Sequence, residues 1–426
     1  MTEETILKKS VTQRALAVSA IAMAAGMAAT SAQALDYDGY FRAGPGATKK
    51  DAARACYNLG GALAPAGTNN GGGHYRLGNE CDFYGEFGLA QTGTVDGVTY
   101  KGKIMVNEYN GGTNTGSASS SFEQMYVEAK GFDISPDTNF WVGKRFYGRA
   151  DIHILDKFFV QLDGVGAGAD NIAVGGGKLG LAYFSSDAGD RGVDGSGGGS
   201  SKFPGQRLNF DLTELPVNPG GTLRVTGTYT KGNFSGGTSG FGLSLQHDQA
   251  IEGLGSNRVW VQYSQGSAGT DGNFGLSGAD SGYKQWRLIE TLNWQVGPFG
   301  GQALALFTTQ DKATVAGTVV QPKQTGASLG GRISYALTKN FKMVAEAGYM
   351  QSKPDGGDTQ KLTKLTIAPT LSTGPGYWNR PELRFYVTTA KWNSAANAAS
   401  GVGGLTGIGD GKTNGTSYGF QAEIWW

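Results

Sequence analysis

Ser417-Tyr-Gly-Phe-Gln-Ala-Glu-Ile-Trp-Trp426 stands at the end of the sequence as a strictly alternating segment that stops on an aromatic residue. Successive side chains of a strand point to opposite faces, so Tyr418, Phe420, Ala422, Ile424 and Trp426 share one face. Gly419, Gln421, Glu423 and Trp425 share the other. The first face suits lipid, with aromatics at the membrane interface, and the second suits a wet lumen. Trp425 breaks the pattern, because a tryptophan beside Gln421 and Glu423 in water is costly unless something apolar touches it.

The other end of the chain points to export. Lys8, Lys9 and Arg14 precede an apolar run from Ala15 to Ala29, followed by Ala32-Gln33-Ala34. That order reads as a cleaved secretory signal over residues 1–34, with the barrel domain over 35–426. The run is shorter than the ~20 residues a membrane-spanning helix needs. Without residues 1–34 the chain carries 33 basic and 33 acidic residues. A net charge near zero argues against a nucleic-acid partner and a strongly ion-selective pore. Cys56 and Cys81, the two cysteines, both lie in the exported part. A disulfide between them is expected in an oxidising periplasm.

With 72 glycines, and hydrophobic residues at 39%, the composition fits many turns rather than membrane helices. Alternation between turn signals predicts eighteen strands. They fall at 35–44, 80–91, 99–109, 122–133, 139–147, 169–174, 178–184, 202–215 and 221–231, then at 240–249, 257–265, 284–296, 301–309, 325–337, 340–351, 360–372, 381–392 and 417–426. The fold class expected is all-β, a transmembrane antiparallel barrel with short turns on one side and long loops on the other. The long loops are 45–79, 110–121, 148–168, 185–201, 266–283, 310–324 and 393–415. Gly164-Val-Gly-Ala-Gly168 resembles a phosphate loop only superficially and reads as flexible-loop glycine.

Parity places four aromatics among charges. Tyr40 shares a face with Asp36, Asp38 and Arg42, and Tyr84 with Asp82 and Glu86, opposite Cys81, Phe83, Phe87 and Leu89. Near the C-terminus Leu383, Phe385 and Val387 face out, which puts Trp378, Arg380, Glu382, Arg384 and Tyr386 on the polar face with Trp425. Sugar binding suits such a wall. A pyranose has apolar C–H faces that a ring can cover, while charged groups take the equatorial hydroxyls. Several weak sites in a row capture and release a passing solute. No residue set reads as catalytic, and His74, His153 and His247 are scattered, so no enzyme activity, cofactor or metal is expected.

Leu35-Asp-Tyr-Asp-Gly-Tyr40-Phe-Arg42, Tyr75-Arg76-Leu-Gly-Asn-Glu-Cys81, Trp141-Val-Gly-Lys-Arg-Phe-Tyr147 and Glu423-Ile-Trp-Trp426 resemble the maltoporin family of carbohydrate porins, LamB-type channels. Gly166-Ala-Gly168 before Asn171, Asn218-Pro-Gly-Gly221 and Trp378-Asn-Arg-Pro381 add to the resemblance, in order along the chain. It implies a trimeric outer-membrane channel of eighteen strands, narrowed by an infolded third loop and lined by an aromatic slide between polar tracks. Tyr40, Tyr84, Trp378 and Trp425 match slide positions, with Phe158 at the constriction. Arg42, Arg76, Glu86, Arg149, Asp151 and Asp156 match the tracks, and Cys56 and Cys81 the family disulfide.

Departures from the family pattern matter as much. Phe158 keeps a ring where the family has tyrosine, and Gln161 stands for an aspartate, so binding at the neck is expected to be weaker. Glu123 replaces a track arginine, and the second loop has no tryptophan. The apolar lining position near 243 is filled by Leu243, with Phe241 as a substitute. The expected function is a sugar-selective porin for maltose and maltooligosaccharides, set in outer-membrane lipid and lipopolysaccharide, with a periplasmic sugar-binding protein as a further partner. The alternatives are a general diffusion pore or a pore for another oligosaccharide, and, in another class, a surface adhesin or phage receptor recognised by loops such as 45–79.

Overall fold

The computed structural model describes residues 35–49, 55–60, 63, 73–111, 119–186, 205–231, 238–268, 281–315 and 318–426. The expected export signal lies outside them. Eighteen antiparallel strands close on themselves: β1 (Leu35–Ala43, continued by Gly46–Thr48), β2 (Phe83–Val95), β3 (Val98–Asn110), β4 (Ser119–Lys130), β5 (Asn139–Arg145) and β6 (Gly164–Val174). Next come β7 (Gly177–Ser186), β8 (Gly205–Asn218), β9 (Gly221–Lys231), β10 (Gly240–Ile251), β11 (Gly255–Gln265) and β12 (Lys284–Val296). The last six are β13 (Phe299–Gln310), β14 (Gln324–Ala336), β15 (Phe341–Pro354), β16 (Gln360–Ser372), β17 (Glu382–Trp392) and β18 (Asn414–Trp425). Tyr40 of β1 sits opposite Trp425 on one side and Glu86 on the other, which seals the ring and leaves no open edge. Asp96 and Gly97, at φ 48° and 83°, make the two-residue turn between β2 and β3 with the backbone hand that strand twist demands.

Alternation sorts the side chains as expected. On the outer face Trp426 packs with Tyr37, Phe41 and Phe87 at ring-centroid distances of 5.2, 6.3 and 6.1 Å. Val127, Leu208, Leu329 and Phe420 are exposed there, while Gln262, Arg332, Glu346 and Arg384 are buried on the inner side.

Three local expectations fail. Gly164–Gly168 is the start of β6 and not a flexible loop. A Cβ on Gly168 would come within 2.6 Å of the Trp141 indole nitrogen and of the Leu181 carbonyl, so the glycine makes room for a ring. Leu243 and Phe241 do not line the lumen. They are exposed on the outer face of β10, and Gly242, Ser244 and Gln246 face inward in their place. Cys81 is not on the lipid face of β2, because the strand begins only at Phe83.

Cys81 belongs instead to a segment inside the barrel, bonded to Cys56 with Cα atoms 5.9 Å apart. Tyr57, Leu59, Leu63, His74, Tyr75, Leu77 and Asn79 of the β1–β2 loop have almost no exposure. The Tyr75 ring lies against Gly330 and Gly348 of β14 and β15, and its hydroxyl pairs with Ser328 at 2.9 Å. Lys364 of β16 donates to the carbonyls of Tyr57, at 2.8 Å, and of His74. Glu346 accepts from the Leu77 amide at 2.7 Å. Residues 55–59 and 73–79 of this loop are therefore no external recognition surface, because Tyr57, His74, Tyr75 and Leu77 find their partners on the inner wall.

The β5–β6 loop also folds inward, as expected. Ala150–Ile152 and Lys157–Val160 form a small hairpin around Asp156. Ile152, Ile154, Leu155, Phe159 and Leu162 are buried in one core with Trp260, Ile289, Leu304 and Leu306 of β11 to β13. Phe159 stacks near Trp260 at 5.7 Å, and Gln302 accepts from the Ile154 amide at 3.1 Å.

Closing a loop of 25 residues by a disulfide stabilises by about 3 kcal/mol in the chain-entropy account. Cys56→Ser with Cys81→Ser is expected to loosen the β1–β2 loop while the barrel still forms. Limited proteolysis should then cut between residues 55 and 82 faster than in the parent. Unchanged cleavage would show that Lys364, Ser328 and Glu346 seat the loop alone.

Candidate functional site

Trp425 faces the lumen, and its ring is not bare. The Arg380 guanidinium lies 4.1 Å from its centroid, Trp378 is 6.4 Å away and His153 5.6 Å. Cation–π contact offsets the cost of an indole on a wet face, which answers the anomaly in the sequence. Trp378 comes from the β16–β17 turn, which bends inward so that His153 stands edge-on to it at 5.4 Å. Burial pushes the His153 imidazole down to about 3 against the pull of Glu423, so the ring is neutral at physiological pH.

From Trp425 the aromatics continue around the wall. Tyr40 is its neighbour across the β18–β1 pairing, Tyr84 follows at 6.3 Å, and Tyr109 of β3 at a further 6.5 Å. Neighbouring strands contribute one ring each, and strand tilt turns the row into a climbing path. Phe158 lies apart from this row on the β5–β6 loop, where the Arg149 guanidinium is sandwiched between its ring, at 4.7 Å, and that of Phe146, at 3.1 Å.

Charged residues border the row, and most are already paired. Arg42 forks onto Asp82 at 2.6 and 3.0 Å and also reaches Glu80 at 3.1 Å and Asp156 at 3.2 Å. Arg76 binds Glu80, Glu423 at 3.2 Å, and the Tyr40 hydroxyl. Burial alone would raise the Asp156 carboxyl, but the charges of Arg42 and Arg76 outweigh it and hold the group below its ordinary range. Glu423 gathers Arg380 at 3.0 Å and Arg384 at 2.5 Å, and accepts from Tyr40 at 3.2 Å. These bonds join both infolded loops to β1, β17 and β18. Arg42 and Arg76 thus present little free donor capacity to the pore.

The opposite border is more open. Arg149 donates two bonds to Asp163, the longer at 2.8 Å, and the same carboxylate accepts from Gln161 at 2.8 Å. Glu86 accepts from Tyr84 at 2.5 Å, Glu123 accepts from Ser121 at 3.0 Å, and Asp151 is exposed. No salt bridge reaches these last three carboxylates among the described residues.

Sequence reading brought together Tyr40, Tyr84, Trp378 and Trp425 and missed Tyr109, His153, Glu423 and Asp163. Tyr109 was within reach, because Lys101, Lys103, Met105 and Asn107 share its face of β3. His153 carries no such signal, since only the seating of the β5–β6 loop brings it between two tryptophans.

The sequence model of the family described as LamB porin matches residues 35–426. Among solved structures the chain is similar to OccAB1 of Acinetobacter baumannii, with TM-score 0.53, 10% identity and coverage of 92% of this chain and 96% of that one. Similarity extends to OpdO of Pseudomonas aeruginosa, at TM-score 0.49 and 10% identity over 92% and 96% of the two chains. OmpT of Vibrio cholerae follows at TM-score 0.43 and 9% identity, over 93% and 99%. At this identity the OccAB1 likeness speaks for the barrel fold alone. The family match covers every barrel strand, and the chain accordingly belongs to the LamB porin family, β-barrel porins of the bacterial outer membrane.

Proposed function

We propose that this porin passes maltose and maltooligosaccharides by guided diffusion, as a homotrimer delivered by a signal over residues 1–34. One observation carries the reading: Trp378, Trp425, Tyr40 and Tyr84 form a row inside a polar lumen, with ring-to-ring steps of 6.4 Å at one end and 6.3 Å at the other. A row of rings slides along the apolar faces of a linear sugar, and bordering carboxylates accept its hydroxyls. The test is single-channel conductance in a planar bilayer, titrated with maltohexaose, sucrose and an unrelated oligosaccharide. Saturable block by maltohexaose at lower concentration than by the others is expected. Conductance indifferent to all three would favour a general diffusion pore, the reading to which the self-paired Arg42 and Arg76 lend support.

At the neck, Phe158→Tyr restores a phenolic donor beside Arg149. A neutral hydrogen bond contributes about 1 kcal/mol, so maltohexaose block should tighten about fivefold. Gln161→Asp, which the sequence alone also marks as a gain, is expected to act the other way. It sets a second carboxylate beside Asp163 in competition for one guanidinium and removes the amide that donates to it. Equal block by parent and Phe158→Tyr channels would place the sugar path away from this loop.

A further inference from the structure

The aromatic row has one more member than the family resemblance implies, and it lies at the loop end of the barrel. Tyr109 is the penultimate residue of β3, directly opposite Tyr84 in the β2–β3 register. The two rings meet edge-on at 6.5 Å, close to the Tyr40–Tyr84 step of 6.3 Å. Tyr109 keeps 36% of its surface exposed, while Met105 on the same face is covered. A half-exposed phenol at the pore mouth has one ring edge engaged with Tyr84 and area left for a solute. Polar acceptors flank it: Glu86 lies one strand over, and Asn107 and Glu123 meet at Ser121, whose amide donates to Asn107 at 2.9 Å and whose hydroxyl donates to Glu123 at 3.0 Å. The adjoining loop, residues 111–118, contains no tryptophan, tyrosine or phenylalanine.

We propose that Tyr109 is the outermost sugar platform of this channel and that each chain supplies it from its own wall rather than from a loop. The inference rests on the sugar-channel reading and adds a residue to it. The first ring a sugar meets from the loop side is then fixed in a strand, whose neighbours hold it in register, and the platform does not depend on how a surface loop is seated. With Glu86 and Glu123 beside it and no salt bridge to either among the described residues, the subsite accepts hydroxyl protons and disfavours a sugar bearing carboxylates.

Single-channel block by maltohexaose tests this, with sugar added separately to the loop side and to the turn side. Tyr109→Ala is expected to slow association from the loop side about three- to tenfold, the scale of one aromatic contact, with a smaller effect from the turn side. Tyr109→Trp should retain or increase the parent rate. Tyr109→Phe, which keeps the packing and loses only the hydroxyl, guards against a folding defect and should stay near the parent. A parent rate in Tyr109→Ala, in a channel that Trp425→Ala still weakens, would overturn the inference and leave the sugar reading standing. Absence of maltohexaose block in the parent itself would overturn both.

Discussion

Glu423→Ala is expected to destabilise the folded porin by about 3–5 kcal/mol, the usual result of removing one partner from a buried ionic cluster. The carboxylate is 1% exposed and holds Arg76 at 3.2 Å, Arg380 at 3.0 Å and Arg384 at 2.5 Å. Each arginine keeps a second acid, Glu80 for Arg76 and Glu382 for the other two. Alanine would nevertheless leave these cations to Glu80, Asp156 and Glu382, which already pair with Arg42 or Lys342, with the Tyr40 hydroxyl losing its acceptor. The His153 ring, 3.6 Å from Glu423, would lose a contact that pins the β5–β6 loop to the wall. Glu423→Gln keeps volume and one acceptor oxygen, so its cost should be smaller and the loop better held. Urea unfolding from detergent micelles checks the first point, and open-channel current noise checks the second. Parent stability in Glu423→Ala would mean that water repays the arginines fully and the network is only a lining.

Strands were legible because alternation is a local signal. Every expected strand is present, and the parity that sent Trp425 inward and Trp426 outward used ten consecutive residues. Where side chains vanish the signal does too, and Gly164–Gly168 passed for a loop although its glycines answer to Trp141 and Phe184. Leu243 and Phe241 teach the converse. Alternation from Gly240 to Gln246 puts both outside, against the lining position that the family resemblance implies near 243. The inward course of the β1–β2 loop could not be read, because Ser328, Glu346 and Lys364 are more than 250 residues away from what they hold. Charged residues were likewise visible as a set, but whether Arg42 is free for sugar or spent on Asp82 depends on where that loop lies.

Trp425→Ala and Trp426→Ala should separate function from assembly, though the residues are adjacent. Trp425 touches Arg380, His153 and Trp378, all from segments that line the lumen, and among the described residues no lipid-facing ring. Its loss forfeits one cation–π contact, about 1 kcal/mol in a barrel closed by strand pairing along its whole circumference. For sugar the loss is larger, because the row would break between Trp378 and Tyr40, and the maltohexaose half-blocking concentration should rise about tenfold, which corresponds to ~1.4 kcal/mol. Trp426 sits on the other face with Tyr37, Phe41 and Phe87, and its backbone pairs with Gly39 at the β18–β1 seam. Alanine there removes three aromatic contacts of about 0.5–1.5 kcal/mol each at the site where the barrel closes. Folded yield should fall while the channels that do form keep parent sugar block. Heat-modifiable migration on an unheated gel reads assembly, and bilayer titration reads block. Equal loss of folded protein in both variants would show that Trp425 serves the seam, and parent block in Trp425→Ala would remove it from the sugar path.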